Sequence, residues 1–435
     1  MILLYKSILK SMFGKYLVYI TNFMSLIILS RLFTPEDFGV IAIISFFYLM
    51  FQMFSEAGIG PAIINLNNLS VKSKNGIFTF TLLVGLFSSI TFYLFGSTLS
   101  SFFNQDKLLQ AMPFLSIGIM FFSFLVVPLA FLQREQKFIK IAKAGVISEC
   151  TSVFVIFIMY DSFDSVSTLA SRLAVIPIVN FIILYYFSAS TEFKRPCVGF
   201  YVSEIKLLFK FSLYQFLFSF LNFLSRNFDN LLVGKYLGSV SLGVYDKAYH
   251  LMKYPLMLLT YAMNPAIQPV ISKISNNREE VQSVHLKFCY KISIISSLVG
   301  FIFFVFSKEI VYIVLGEQWG QVAVLLQIFS LSIPVQCILS SSGGFFQALN
   351  EVKLMFKYGL FSVFTFLSSM FLGLYLGELA TLATSLVFAF FINFLVCYFL
   401  MYKYVYCESV FLFYIKTLSP IFLFWLLCFN VKVVL

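Results

Sequence analysis

Apolar runs of about twenty residues follow one another along almost the whole chain, separated by connections too short to hold a soluble domain. A bilayer core of roughly 30 Å is crossed by about 20 apolar residues in a helix, and in hydrocarbon only a helix or a closed barrel satisfies its own backbone. The runs lie near 14–32, 38–62, 77–99, 111–132, 144–160, 166–188, 211–233, 241–264, 288–306, 321–342, 358–377, 379–401 and 411–433. With 60% hydrophobic and 11% charged residues, the chain is read as an all-α polytopic membrane protein of about 12–13 transmembrane helices. The first run is too long for a signal peptide and lacks a small-residue cleavage site, so it counts as a span. The thirteenth run leaves three options: it spans, it lies along the membrane, or the count is off by one.

The middle of the chain repeats its beginning. Phe38-Gly39-Val40 recurs as Leu242-Gly243-Val244 and Pro61-Ala62-Ile63 as Pro265-Ala266-Ile267, both at an offset of 204 residues. Arg31 then falls on Lys235. Six spans separate a residue from its partner, so the halves share one orientation, which is the parallel kind of repeat. The expected organisation is an N-terminal six-helix lobe at 1–190, a cytoplasmic linker at 191–210, a C-terminal six-helix lobe at 211–402 and an extra hydrophobic segment at 403–435.

The net charge of +11 would suggest nucleic acid in a soluble protein, but here the positive-inside rule accounts for it and no nucleic-acid partner is expected. Basic connections (Lys6, Lys10 and Lys15; Lys72 and Lys74; Arg134, Lys137, Lys140 and Lys143; Lys194, Arg195, Lys206 and Lys210) alternate with acidic ones (Glu36 and Asp37; Asp106; Asp161 and Asp164). The bias places the N-terminus in the cytoplasm. Seven scattered cysteines without a C-x-x-C pair argue against a disulfide framework or a metal site. Nothing matches G-x-x-x-x-G-K-[ST], so ATP is not the direct energy source. No catalytic constellation emerges, and the chain is not read as an enzyme. Gly343-Gly344, after three serines, reads as a flexible end of the tenth span.

Charges inside the hydrocarbon are the strongest functional signal, because each costs at least ~2.5–3.5 kcal/mol at mid-helix. The seventh span carries Ser219, Asn222, Arg226 and Asp229 as one helical stripe; the eighth carries Asp246, His250 and Lys253, with Lys247 beside them. Lys253 lies roughly 18 Å into its span at ~1.5 Å per residue. Structural readings compete: Arg226 and Asp229 form an i,i+3 pair closing a helix end, and Asp246 and Lys247 sit at the interface. Arg172 and Glu149 add charges in the first half, and Lys291 lies near the inner mouth of the ninth span. The repeat register sets Asn22 and Ser25 opposite Arg226 and Asp229. Glu56, in Ser55-Glu56-Ala57-Gly58-Ile59-Gly60, ends the second span where glycines let a helix bend.

These residues carry a resemblance. Ser30-Arg31-Leu32-Phe33-Thr34-Pro35-Glu36-Asp37-Phe38-Gly39, Ser55 to Gly60, and Asn227-Phe228-Asp229-Asn230-Leu231-Leu232-Val233-Gly234 through Tyr245 resemble polysaccharide repeat-unit flippases of the Wzx type, in the MOP/MATE exporter superfamily. The resemblance implies two six-helix bundles around a central cavity. It also implies an alternating-access flippase that turns undecaprenyl-diphosphate-linked oligosaccharides, O-antigen or capsular repeat units, to the periplasmic leaflet of the bacterial inner membrane. A polymerase and a chain-length regulator would be its working partners. A diphosphate needs cationic contacts, for which Arg226, Lys253, Lys247, Arg172 and Lys291 are the candidates. Asn22, Ser25 and Asn222 would meet sugars. Asp229, Asp246 and Glu56 are candidates for a coupling H⁺ or Na⁺; no other cofactor is expected. The competing readings are a multidrug or lipid II exporter of the same superfamily and, from another class, a membrane-embedded polymerase or ligase.

Overall fold

The computed structural model describes residues 2–56, 59–65, 70–199, 227–261, 271–272 and 274–430, with residues 216, 220, 223, 263 and 267. Every regular element among them is helical. Among the described residues ten helices are long and apolar enough to cross a membrane, or eleven if one bent pair counts as a span. The shortfall from 12–13 has two causes. Most of 211–233 lies outside the described residues. The helix at the eighth span, Gly238–Leu256, carries Asp246, Lys247 and Lys253 and is not apolar enough to qualify on composition. The chain divides into two compact units, Met1–Gly243 and Val244–Leu435.

The first unit contains α1 (Ile2–Leu32), α2 (Pro35–Glu56), the short α3 (Ile59–Asn65), α4 (Val71–Phe103), α5 (Lys107–Arg134), α6 (Phe138–Met159), α7 (Ser165–Ser188) and α8 (227–236), and α9 (Gly238–Leu256) begins in it. At its centre α5 packs against α7, α4, α2 and α3. Two close approaches make this possible. A Cβ on Gly85 would lie 2.7 Å from the Ser123 side chain, and one on Gly118 would lie 2.4 Å from the Leu173 carbonyl oxygen.

Irregular points in the helices are matched by side-chain donors. Pro177 brings no N–H to α7, which strips the Leu173 carbonyl of its i+4 partner; the buried Tyr48 hydroxyl donates to that oxygen at 2.9 Å. Where α2 ends, the Ser55 carbonyl accepts from Ser123 Oγ at 3.3 Å. At the start of α2, Thr34 and Asp37 form a reciprocal cap, with Asp37 Oδ2 accepting from Thr34 N at 3.0 Å and Thr34 Oγ1 at 2.7 Å. Asp37 Oδ1 also accepts from Ser165 Oγ at 2.6 Å, which ties α2 to the start of α7.

The duplicated glycines meet each other. A Cβ on Gly39 would lie 1.7 Å from the Ser239 carbonyl oxygen, and one on Gly243 would lie 2.0 Å from the Pro35 carbonyl oxygen. The offset of 204 maps Pro35 onto Ser239 and Gly39 onto Gly243, so the two contacts are images of each other. This is the signature of a two-fold relation, in which i meets j and j meets i, here written inside one chain.

In the second unit α10 (Arg278–Val305) packs against the C-terminal α16 (Phe411–Asn430), α13 (Ile333–Ala348) and α12 (Gly320–Ser330). Between α10 and α12 the short α11 (Ser307–Val314) folds onto α12, and α14 (Val352–Tyr375) pairs with α15 (Leu379–Leu400). The tenth run is not one straight helix: residues 317–330 and 333–348 meet at 61°. Pro334 begins the new helix without an N–H, and Leu331 O at the bend accepts from Trp425 Nε1 at 3.2 Å. The thirteenth run is therefore an integral helix of this unit. It also receives Ser293 Oγ on Thr417 O at 2.6 Å and inserts Phe413 into the core. Gly343-Gly344 lies within α13, contrary to the flexible end expected from its glycines; the run of apolar partners on α10 and α15 carries the helix through it.

Two glycine substitutions should therefore move in opposite directions. Gly39→Ala forces backbone atoms apart and should cost about 1–3 kcal/mol. Gly343→Ala meets nothing within 4 Å and should gain up to about 0.5–1 kcal/mol by restricting the unfolded chain. Thermal unfolding of the purified variants in detergent checks the sign of each.

Candidate functional site

In the first unit two intramembrane charges, on α6 and α7, form an ion pair. Arg172 on α7 donates from Nη2 at 2.7 Å and from Nε at 3.2 Å to Glu149 Oε1 on α6. The Glu149 side chain is only 4% exposed and that of Arg172 28%, so the carboxylate sits inside while part of the guanidinium reaches the surface of the unit. Two turns along α7, Asn180 Nδ2 donates to Ser148 Oγ at 3.0 Å, a second polar contact between α6 and α7. Arg172 was expected to stand as a cation for a diphosphate; here its charge is balanced by Glu149. Sequence reasoning named both residues without pairing them. Their depths carried the signal: Glu149 lies ~15 Å and Arg172 ~10 Å from the same helix ends at 1.5 Å per residue.

Ser25 is buried and Asn22 half-buried on α1. Ser25 follows Gly14 and Val18 along one helix face, the face whose residues touch Ala142 and Gly145 of α6. This places Ser25 on the stripe that packs α1 onto α6. The Glu56 carboxylate folds back over the break that follows α2: a Cβ on Gly60 would lie 3.1 Å from Glu56 Oε1. The expected close approach at these glycines is thus made by the acid itself. Asp229 is buried, with Oδ1 accepting from Asn230 N at 2.9 Å. Arg226, Asn222 and Ser219 lie outside the described residues.

In the second unit the charged stripe of α9 forms a compact group. Asp246 lies between two nitrogen-bearing side chains, with Lys247 Nζ at 3.6 Å and His250 Nε2 at 3.5 Å. Lys247 is buried with its side chain 7% exposed, whereas that of His250 is 51% exposed. One turn on, Lys253 Nζ lies 4.2 Å from the Tyr249 ring centre. Tyr249 in turn stacks on Tyr245 at 6.0 Å, and both rings meet the Phe329 edge. This aromatic rack fixes the lysine by a cation–π contact, and Lys253 as a residue is half-buried. Lys291 stands elsewhere: it is exposed on the face of α10 that also presents Ile294, Ile295 and Leu298, opposite the buried stripe His285, Cys289, Ile292 and Ser296. The structure thus brings Asp246, Lys247, His250 and Lys253 together and does not add Lys291 to them.

A second cluster escaped sequence reasoning. His285 is fully buried among Phe345, Tyr398, Tyr402, Tyr406 and Phe413. Its Nε2 lies 3.3 Å from Cys289 Sγ and its Nδ1 3.4 Å from Tyr402 Oη. The rings come from α10, α13, α15 with its continuation to Tyr406, and α16, so no local pattern marks them. Among the described residues no group of three or more His, Cys, Asp or Glu side chains could hold a metal ion.

Comparison with known proteins adds the following. A family model described as "Polysaccharide biosynthesis protein" matches residues 28–324. An "uncharacterized membrane protein in cps region" of Klebsiella pneumoniae is 23% identical, over 94% of this chain and 86% of its own length. The lipopolysaccharide biosynthesis protein WzxC of Escherichia coli (strain K12) is 21% identical over 86% and 76%. Among solved structures, the lipid II flippase MurJ in an inward closed conformation superposes with a TM-score of 0.76, at 14% identity, over 96% of this chain and 92% of MurJ. An inward-facing multidrug resistance MATE family transporter of the MOP superfamily does so with a TM-score of 0.70, at 14% identity, over 95% and 96%. The fold is therefore the MATE/MOP-like helical fold.

The buried ion pair makes a specific demand. Arg172→Ala leaves Glu149 buried without its partner and should cost about 3–5 kcal/mol. The double variant Glu149→Leu, Arg172→Met should recover most of that loss, because an apolar replacement of both charges removes the desolvation cost. Unfolding midpoints of the single and double variants in detergent test the pairing.

Proposed function

The chain belongs to the polysaccharide biosynthesis protein family, and from that membership we propose that it turns undecaprenyl-diphosphate-linked oligosaccharide repeat units from the cytoplasmic to the periplasmic leaflet of the bacterial inner membrane. It is a multi-pass membrane protein with the fold of flippase-type transporters. The observation that carries the proposal is the α9 group: a lysine held half-exposed at depth by an aromatic rack, beside a buried lysine and an aspartate–histidine pair. A diphosphate cannot cross hydrocarbon bare. Lys253 would supply a point charge for it, and Arg226, from the expected seventh span, a bidentate partner. Sugar hydroxyls would meet the amides and hydroxyls of the polar stripes, while the polyprenyl tail stays in lipid.

Alternating access in this reading is a rocking of two parallel-repeat lobes about the duplicated axis. The recurrence of Gly39 as Gly243 at the offset of 204 residues supports it, because duplicated halves are a common plan for transporters. Asp229, Asp246 and Glu56 are the carboxylates this reading assigns to a coupling H⁺ or Na⁺. The basic connections support a cytoplasmic N-terminus. The reading assigns the protein no bond chemistry; polymerisation of the exported units falls to a partner.

The test begins with deletion of the gene in its host and localisation of the lipid-linked glycan. Spheroplasts are probed with a lectin or glycosidase before and after lysis. The expected outcome is single repeat units hidden until lysis. Units already exposed on intact spheroplasts would turn the assignment to a polymerase or ligase, and loss of peptidoglycan precursors instead would turn it to lipid II export. Complementation with Lys253→Ala should insert normally and restore markedly less surface glycan than the parent gene, read by lectin binding.

A further inference from the structure

The eleven residues after α7 (189–199) contain no helix of their own, yet they are fastened to the first unit at almost every position. Glu192 N donates to Glu135 Oε1 at 2.7 Å. The Phe193 ring packs 5.1 Å from Phe131, and its carbonyl accepts from the ammonium of Lys74, a lysine only 8% exposed. Tyr185 Oη donates to Pro196 O at 3.1 Å, while Arg195 stacks over Tyr185 and Tyr186. Cys197 N donates to Asn75 Oδ1 at 3.0 Å and Gly199 N to Thr79 Oγ1 at 2.8 Å. The segment therefore joins α4, α5 and α7.

One member of this set reaches further. Arg134, at the end of α5, lays its guanidinium 4.8 Å over the Phe193 ring and donates from Nη1 to Ile63 O at 3.1 Å. Ile63 belongs to α3, the short helix beyond the break at Glu56, and is fully buried in the cluster that holds Phe131 and receives Phe193. A cation–π contact is worth about 0.5–2 kcal/mol depending on desolvation, and a buried ammonium left without an acceptor carries a large penalty. Detaching the segment would therefore disturb Lys74 and Arg134 together.

We propose that residues 191–199 are a strap that clamps α3 through Arg134 and moves with the first unit throughout the transport cycle. The break beside Glu56 is thereby held by a segment more than a hundred residues away in sequence. The proposal rests on the transporter reading above for its cycle, and on contacts within the first unit alone for its clamp.

The experiment uses the full chain. Asn75→Cys is placed opposite the native Cys197, which is exposed, in a background whose six other cysteines are replaced by alanine. Glu135→Cys with Glu192→Cys, and Cys197 replaced as well, serves as an independent second pair. Membranes are oxidised, the crosslink is scored on a gel, and glycan export is measured before oxidation, after it, and after reduction. The expected result is ready crosslinking by both pairs with export unchanged. Crosslinking that stops export until reductant restores it would overturn the proposal, because the strap would then have to detach in each cycle. Failure of both pairs to crosslink while their thiols remain reactive overturns the clamp itself. A failure of the transporter reading shows up separately, as a parent gene that does not restore glycan to the deletion strain.

Discussion

In hydrocarbon every backbone N–H and C=O must find its partner inside the protein, and the rest of this structure depends on how that demand is met. Straight helices meet it by themselves. At three irregular points a side chain from another helix completes the ladder: Tyr48 at Leu173, Ser123 at Ser55, Trp425 at Leu331. Within a helix, Ser419 donates to Lys416 O, the carbonyl that Pro420 strips of its partner. These contacts are directional. They fix which helix lies next to which irregularity, and so they set the packing order of each unit.

Charge follows the same logic at higher cost. Glu149 and Arg172 are tolerated in the hydrocarbon because each neutralises the other. Asp246 is enclosed by Lys247 and His250, and Lys253 spreads its charge over an aromatic face. The α9 group differs from the α6–α7 pair in one respect that matters for cargo. Its outer members stay half-exposed, whereas Glu149 is sealed. Under the proposed function, Lys253 of this group is the residue that would meet an anion.

The glycines show how much of this was legible in the sequence. The recurrence of Gly39 as Gly243 is visible as text, and the parity of the intervening spans gives the parallel sense of the repeat. That the two glycines press against Ser239 and Pro35 in mirror-related contacts is not visible, because nothing local distinguishes a glycine that permits a crossing from Gly343, which meets nothing. The same holds for the serine-rich stretch before Gly343. Its composition reads as a chain end, yet it is helical because its neighbours on α10 and α15 bury it. The ring cluster around His285 escaped notice for a related reason: its five ring partners come from three other helices.

Hydropathy and the placement of lysines act over about twenty consecutive residues, and their effects add along the chain. The sequence by itself therefore determined the helical class, the boundaries of most spans, the expected orientation and the duplication. Pairing depends instead on the rotation of each helix about its axis and on which neighbour faces it. Only the tertiary structure decided that Arg172 meets Glu149, that the last helix braces the bend at Leu331, and that the segment after α7 is fastened down. Those choices are made by atoms tens to hundreds of residues apart, and no window of sequence contains both partners.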